Sequence, residues 1–193
     1  SLIFAATLPL RAESVASADL ERTTKHLTQT RDAFLASIEG LSEAQLTFKP
    51  APERWSVAEV AEHIVAAEQF LFGLVRDHVM KAPPRPEAVD VHETDNYILQ
   101  TISDRTHKVK SPEPLMPTKR FGDIENVRRE FEAAREQTLA FLQKAPDLRD
   151  HALDSPLGRK LDALQWLLFI SAHCERHTKQ IEEVKADSAF PKN

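Results

Sequence analysis

Residues 162–181 read DALQWLLFISAHCERHTKQI. Asp162 followed three residues later by Gln165 is a box-like helix start: the first side chain accepts from an orphan backbone N–H and the second reaches back to the cap. The residues after the cap, Leu164, Trp166, Leu167, Leu168, Phe169 and Ile170, are apolar almost all round a helical wheel. A helix of that kind is buried by other elements. The second half becomes two-faced. His173 and His177 are one turn apart and share a face bordered by Trp166, Ile170, Ile181 and Val184, while Glu175, Lys179, Glu182 and Glu183 occupy the polar side. The pattern predicts a helix over 163–186.

A buried helix needs partners, and the chain supplies three. Leu20, Thr24, Leu27, Phe34, Leu35 and Ile38 recur at helical steps, predicting a helix over 19–39 that Gly40 ends. Ser56-Val57-Ala58-Glu59 is a capping box, and the helix after it, 57–81, has an inward stripe of Val60, Ile64, Ala67, Leu71 and Leu74 before Pro83-Pro84 stops it. Asp123 caps a helix over 124–144 whose stripe is Val127, Phe131, Ala134, Thr138, Phe141 and Leu142. Between these last two lies an irregular stretch, 82–122, with Pro83, Pro84, Pro86, Pro112, Pro114 and Pro117 and room for a helical piece at 91–106. With no convincing strand and no repeat, the expected fold is all-α: a four-helix bundle with a long crossover between its second and third helices. It occupies 19–187 as one domain, with a short tail at 188–193.

Composition narrows the function. The 193 residues carry 25 Lys+Arg against 30 Asp+Glu, a net charge of −5 that argues against a non-specific nucleic-acid binder. Four glycines leave no Gly-rich phosphate loop, and the single cysteine, Cys174, excludes a disulfide framework and a cysteine-built zinc site. Residues 1–10, SLIFAATLPL, are too short to span a bilayer, which takes about 20 residues. With Ala16-Ser17-Ala18 as a small-residue cleavage site, 1–18 reads either as the remnant of an export signal or as an arm packed on the domain. The compartment, cytoplasmic or exported, stays open.

Eight histidines in an acidic chain stand out. His63 falls in the arc of Val60, Ala67, Phe70 and Leu74, so it faces inward. His173 and His177 can chelate one cation, and His63 from a facing helix would complete three ligands with a position left open for water. Neutral imidazoles suit zinc, nickel or iron. Against this, a lone inward histidine is commonly a hydrogen-bonded core residue, and H-x-x-x-H pairs arise by chance. The zincin motif H-E-x-x-H is absent, since Cys174 follows His173 and Glu175 lies about 200° around the helix. No histidine of the three has the Glu-x-x-His spacing of di-iron bundles.

The other candidates read as structural. Cys174 is expected to be a buried small apolar residue rather than a fourth ligand. His78 faces inward but lies about 22 Å along the helix from His63, so it is expected to be a core or loop contact. Glu59 has its capping role, and Glu62 is expected on the more solvated side. Trp55 and Trp166 are expected in the core. Arg128, Arg129, Glu130, Glu132, Arg135 and Glu136 read as a mixed-charge exposed face. His26, His92, His107 and His151 form no visible constellation.

Residues 55–64, WSVAEVAEHI, resemble the W-S-x-x-E-x-x-x-H-[IL] segment of the DinB superfamily, and residues 164–181 resemble its last helix, which ends H-x-x-[RK]-H-x-x-Q-[IL]. The LSEAQL run at 41–46, followed by KPAP at 49–52, is similar to the loop before that family's first histidine. The resemblance covers about 19–186. It implies a four-helix bundle with a long crossover, often a homodimer, and a divalent metal held by His63, His173 and His177. It also implies chemistry with low-molecular-weight thiols, as in the family's thiol-dependent transferases and isomerases. The expectation is a metal-dependent enzyme, S-transferase or hydrolase, with a small-molecule substrate. The alternative is a non-catalytic bundle serving as a binding or structural dimer module, with the apolar excess of the last helix as its dimer face.

Overall fold

In a computed structural model, which describes residues 17–87 and 90–192, six α-helices lie in the order α1 (Ser17–Ile38), α2 (Glu43–Thr47), α3 (Val57–Asp77), α4 (Val91–Ser103), α5 (Ile124–Lys144) and α6 (Ala163–Lys185). Most starts follow from side-chain caps. Ser56 and Asp162 form the expected boxes with Glu59 and Gln165, and Asp123 accepts from the N–H of Asn126. Gly40 takes a φ of +69° just past α1, a left-handed conformation that glycine adopts at little cost. The reading of 1–18 as export signal or packed arm falls on residues 1–16, outside the described residues; Ser17 and Ala18 open α1.

The long helices α1, α3, α5 and α6 form the bundle, with α6 central: it packs against α1, α3 and α4, whereas α5 packs against α1 and α3. The long connection therefore joins two adjacent helices, α3 and α5, and on its way lays α4 against α6. Leu164, Leu167 and Leu168 are fully enclosed, each contributing about 1.5–3 kcal/mol by burial. The apolar half of α6 is used up inside the chain and offers no face to a second copy. A second part of the core joins α1, α3 and α5 through Phe34, Val60 and Phe131, with the two phenylalanine rings 4.4 Å apart edge to face.

Several expectations need correction. The 41–55 connection holds the short helix α2, capped by Ser42 and Gln45 in a box of its own. The sequence predicts no strand, yet the stretch between α5 and α6 contains an antiparallel hairpin, β1 (Ala152–Asp154) with β2 (Lys160–Asp162), closed through Gly158 at φ +69°. Three-residue strands are too short to leave an alternating pattern. The helix expected over 57–81 ends at Asp77 and continues as a 3-10 turn, Val79–Lys81. Phe70, placed inward on the wheel, is 54% exposed, and His78 is an exposed C-cap rather than a core contact. Arg135 is the largest departure. It is fully buried, donating to both carboxylate oxygens of Glu68 at 2.7 and 2.8 Å, to the Leu27 carbonyl and to Thr30 Oγ1.

A second buried ion cluster ties the helices together near the start of α6. Arg149 donates to Asp95 on α4, to Asp162 at the α6 cap and to Asp19 on α1, all within 2.8–3.3 Å. Desolvation pushes Asp162 up to about 6 although Arg149 opposes the shift. Among the described residues no helix is long and apolar enough to cross a membrane.

Candidate metal centre

His63 lies in the first half of α3 and is 2% exposed, because that part of the helix is buried on several sides by Val60, Ala61, Ile64 and Val65. His173 and His177 project from the middle of α6, partly buried. Packing of α3 on α6 brings the three together: one ring nitrogen from each lies within 4.8 Å of the others. The ring centroids are 5.1 Å apart for His63 and His173, and 4.4 Å apart for the other two pairs.

The protons on two rings can be placed from their partners. His63 Nδ1 is 2.9 Å from the Leu115 carbonyl oxygen, which can only accept, so Nδ1 carries the hydrogen. His177 Nδ1 is 2.8 Å from Gln180 Oε1, and Arg105 Nη1 also donates to that oxygen at 3.2 Å, which fixes the amide orientation. His177 Nδ1 is therefore the donor too. Both Nε2 atoms are left with lone pairs, and they face each other at 3.2 Å. Two opposed lone pairs repel unless something positive sits between them. Tetrahedral zinc with Zn–N bonds of about 2.0–2.1 Å spaces its ligand nitrogens by about 3.3 Å, so this pair fits a metal's coordination edge.

Electrostatics act the same way. Desolvation lowers the pKa of all three rings. It takes His173 down to about 3, with His63 and Arg176 adding repulsion, and puts His177 well below the usual histidine range, with His173 and His63 adding to it. For His63 the Leu115 hydrogen bond opposes the shift and Arg120 reinforces it. Neutral imidazoles at pH 7 are the form that binds cations.

The surroundings include residues that the pattern reading set aside. Glu62, expected on the solvated side, is 5% exposed, and its carboxylate accepts the backbone N–H groups of Thr118, Lys119 and Arg120. One signal could have exposed it: Glu62 and His63 are the only polar residues between Val60 and Ala67, so a buried partner was required. Arg176 donates to the carbonyls of Asp104 and His107, fastening the long connection to α6. The Trp55 ring lies 5.0 Å from that of His63, tilted by 52°, whereas Trp166 sits in the core beside Phe169. Cys174 points away from the cluster toward α1, donating to the Thr30 carbonyl, and burial pushes its thiol up to about 11.

Two other groupings involve histidines. His26 Nδ1 is 2.8 Å from Ser171 Oγ and its Nε2 is 3.4 Å from Glu175, but Ser171 is fully enclosed and also reaches the Leu168 carbonyl, so no substrate can meet its hydroxyl. His92 lies 3.7–3.9 Å from Asp19 and Asp95, whose carboxylates Arg149 already holds. A surface groove of about 570 Å³ lined by Arg105, Lys179, Glu182 and Glu183 lies on the α6 face opposite His177.

Residues 26–181 match the family model of the DinB superfamily. The chain belongs to the DinB superfamily. It is 30% identical over 149 residues to the uncharacterized protein YuaE of Bacillus subtilis (strain 168), covering 77% of this chain and 88% of that one. The fold is similar to that of YfiT from Bacillus subtilis, described as a probable metal-dependent hydrolase with an unusual four-helix bundle topology. The TM-score is 0.58 over 94% of both chains, at 11% identity. In this DinB protein the matched span, 26–181, includes all three clustered histidines and Glu62.

Proposed function

We propose that this DinB protein is a metal-dependent enzyme acting on a small-molecule substrate, with His63, His173 and His177 as ligands to one divalent ion. The observation that carries the reading is the pair of opposed Nε2 lone pairs, with both Nδ1 protons committed elsewhere. The description of YfiT as a probable metal-dependent hydrolase supports it. When bound, zinc, nickel or iron supplies Lewis acidity that makes a water or a thiol reactive near neutral pH.

The chain's own share is binding and orientation. Leu115 and Gln180 hold two imidazoles in the tautomer that presents Nε2. The Trp55 ring lies beside that of His63, which is itself 2% exposed. The nearby carboxylates are committed: Glu62 to the loop at 118–120, and Glu59 to the α3 cap and Lys49. The chemistry is that of a hydrolase or of a thiol-dependent S-transferase. Self-association would use a surface other than the apolar half of α6, which is buried within the chain.

The test loads the purified protein with zinc, nickel or ferrous iron. Each form is assayed against activated esters and amides, and against electrophiles with low-molecular-weight thiols. Turnover that chelation removes and that H173A/H177A lacks supports the reading. Absence of turnover with every metal and both substrate classes contradicts it and leaves a binding module.

A further inference from the structure

We infer that Glu62 is a positioning residue: its carboxylate folds the 114–120 loop into a clamp whose Leu115 carbonyl sets the tautomer and aim of His63. The inference rests on the reading of the three histidines as metal ligands only in its consequence for affinity. Its geometric content concerns the metal-free chain.

The clamp is built from two opposed sets of bonds. Glu62 Oε1 accepts from the N–H groups of Thr118 at 2.7 Å and Arg120 at 3.1 Å, and Oε2 accepts from Lys119 at 2.8 Å. Successive N–H groups turned toward one anion need an unusual backbone, and Lys119 has a φ of +63°. The carboxylate is 3.4 Å from Arg120 Nε. The same guanidinium then donates to the carbonyl of Pro114 at 2.9 Å and that of Met116 at 2.6 Å. These are the carbonyls on either side of Leu115. Arg120 thus holds both neighbours of Leu115, while the Leu115 carbonyl accepts from His63 Nδ1 at 2.9 Å. The chain of contacts starts at Glu62 and returns to the adjacent residue, His63, through a loop more than fifty residues away in sequence.

A neutral amide cannot replace this carboxylate. Glu62→Gln would turn an NH2 group toward backbone N–H groups, setting donor against donor. The loop would loosen and the Leu115 carbonyl would leave His63. A ring whose Nδ1–H has lost its acceptor can move its proton to Nε2, the atom needed for coordination. Partners of this kind behind a metal-binding histidine are worth about 10–100-fold in affinity.

The experiment compares wild type, E62Q and R120M as purified full-length protein. Long-range 1H–15N spectra of the metal-free protein report the tautomer of each imidazole, and zinc titration gives Kd. The expected result is a His63 that loses its Nδ1–H tautomer in both variants, while His177, held by Gln180, keeps its own. The zinc Kd rises about 10–100-fold. R120M carries the test if E62Q does not fold. An unchanged His63 tautomer with a Kd within twofold of wild type overturns the inference. So does a parallel change in His63 and His177, which would mark general loosening. A wild type that takes up no zinc refutes the metal reading alone, because the spectra of the metal-free protein still decide the role of Glu62.

Discussion

The start and the middle of α6 hold two polar clusters built in opposite ways. Near its start, Arg149 gathers Asp19, Asp95 and Asp162, and Gln165 closes the set by donating to Asp95. Donors meet acceptors throughout, so the cluster is complete in itself. Near the middle, His63 and His177 have spent their protons on Leu115 and Gln180, and their remaining nitrogens face each other as acceptors. That arrangement suits a positive partner held between them. A closed network on a buried helix ties elements together, whereas an open one is a place for chemistry.

Removing a member of the closed cluster should have the largest effect. In R149M the buried Asp95 and Asp162 lose their cation. Unfolding free energy should fall by about 3–5 kcal/mol, lowering Tm by on the order of 10 °C. Zinc uptake by the protein that remains folded should not change, which would separate the two clusters. A fall of less than about 1 kcal/mol in denaturant melts would show that the network does not hold the bundle together.

Lowering the pH should act on both clusters with opposite signs: the imidazoles lose stability, whereas Asp162, raised to about 6 in the fold, takes up its proton more readily folded than unfolded. The three imidazoles have folded pKa values below the ordinary value of 6.5. The unfolded chain therefore takes up protons first as pH falls. The stability that these imidazoles contribute is complete well above 6.5 and is lost progressively toward the folded values, about 3 for His173. Between pH 6.5 and 5.5 His173 should account for about 0.5 kcal/mol, roughly half the full linkage value because the ring is partly exposed. Melts of wild type and H173A across that interval would show it as a shallower slope in the variant. Equal slopes would mean that the rings are not held neutral by the fold.

The smallest effect is expected at Cys174, which sits between the two histidines in sequence but belongs to the α1 contact. C174A should cost about 1 kcal/mol and leave zinc stoichiometry as it was. Loss of a bound ion in that variant would make the thiol a ligand.

These contrasts also mark how far the sequence could be read. The α5 limits, 124–144, follow from the Asp123 cap and an unbroken stripe, and α6 follows from its box and apolar run. The histidine cluster was legible because His173 and His177 share a face and His63 sits among inward residues, with the family resemblance adding the packing that joins them. What stayed hidden depends on contacts distant in sequence. Arg135 looked like one charge on a mixed face because its partner, Glu68, is on α3. Glu62 looked solvated because the loop that covers it comes from 118–120. The hairpin at 152–162 was too short to show a period, and Phe70 showed that a wheel cannot say whether the facing position is occupied.

As proposed, the open cluster takes up one divalent ion. Elemental analysis of untagged protein, beside H173A/H177A and after exposure of both to excess zinc, tests it most directly. The expected result is about one zinc, nickel or iron per chain in the wild type, none in the variant, and a higher Tm only for the loaded wild type. A wild type that stays metal-free after exposure, with the melting temperature of the variant, would contradict it.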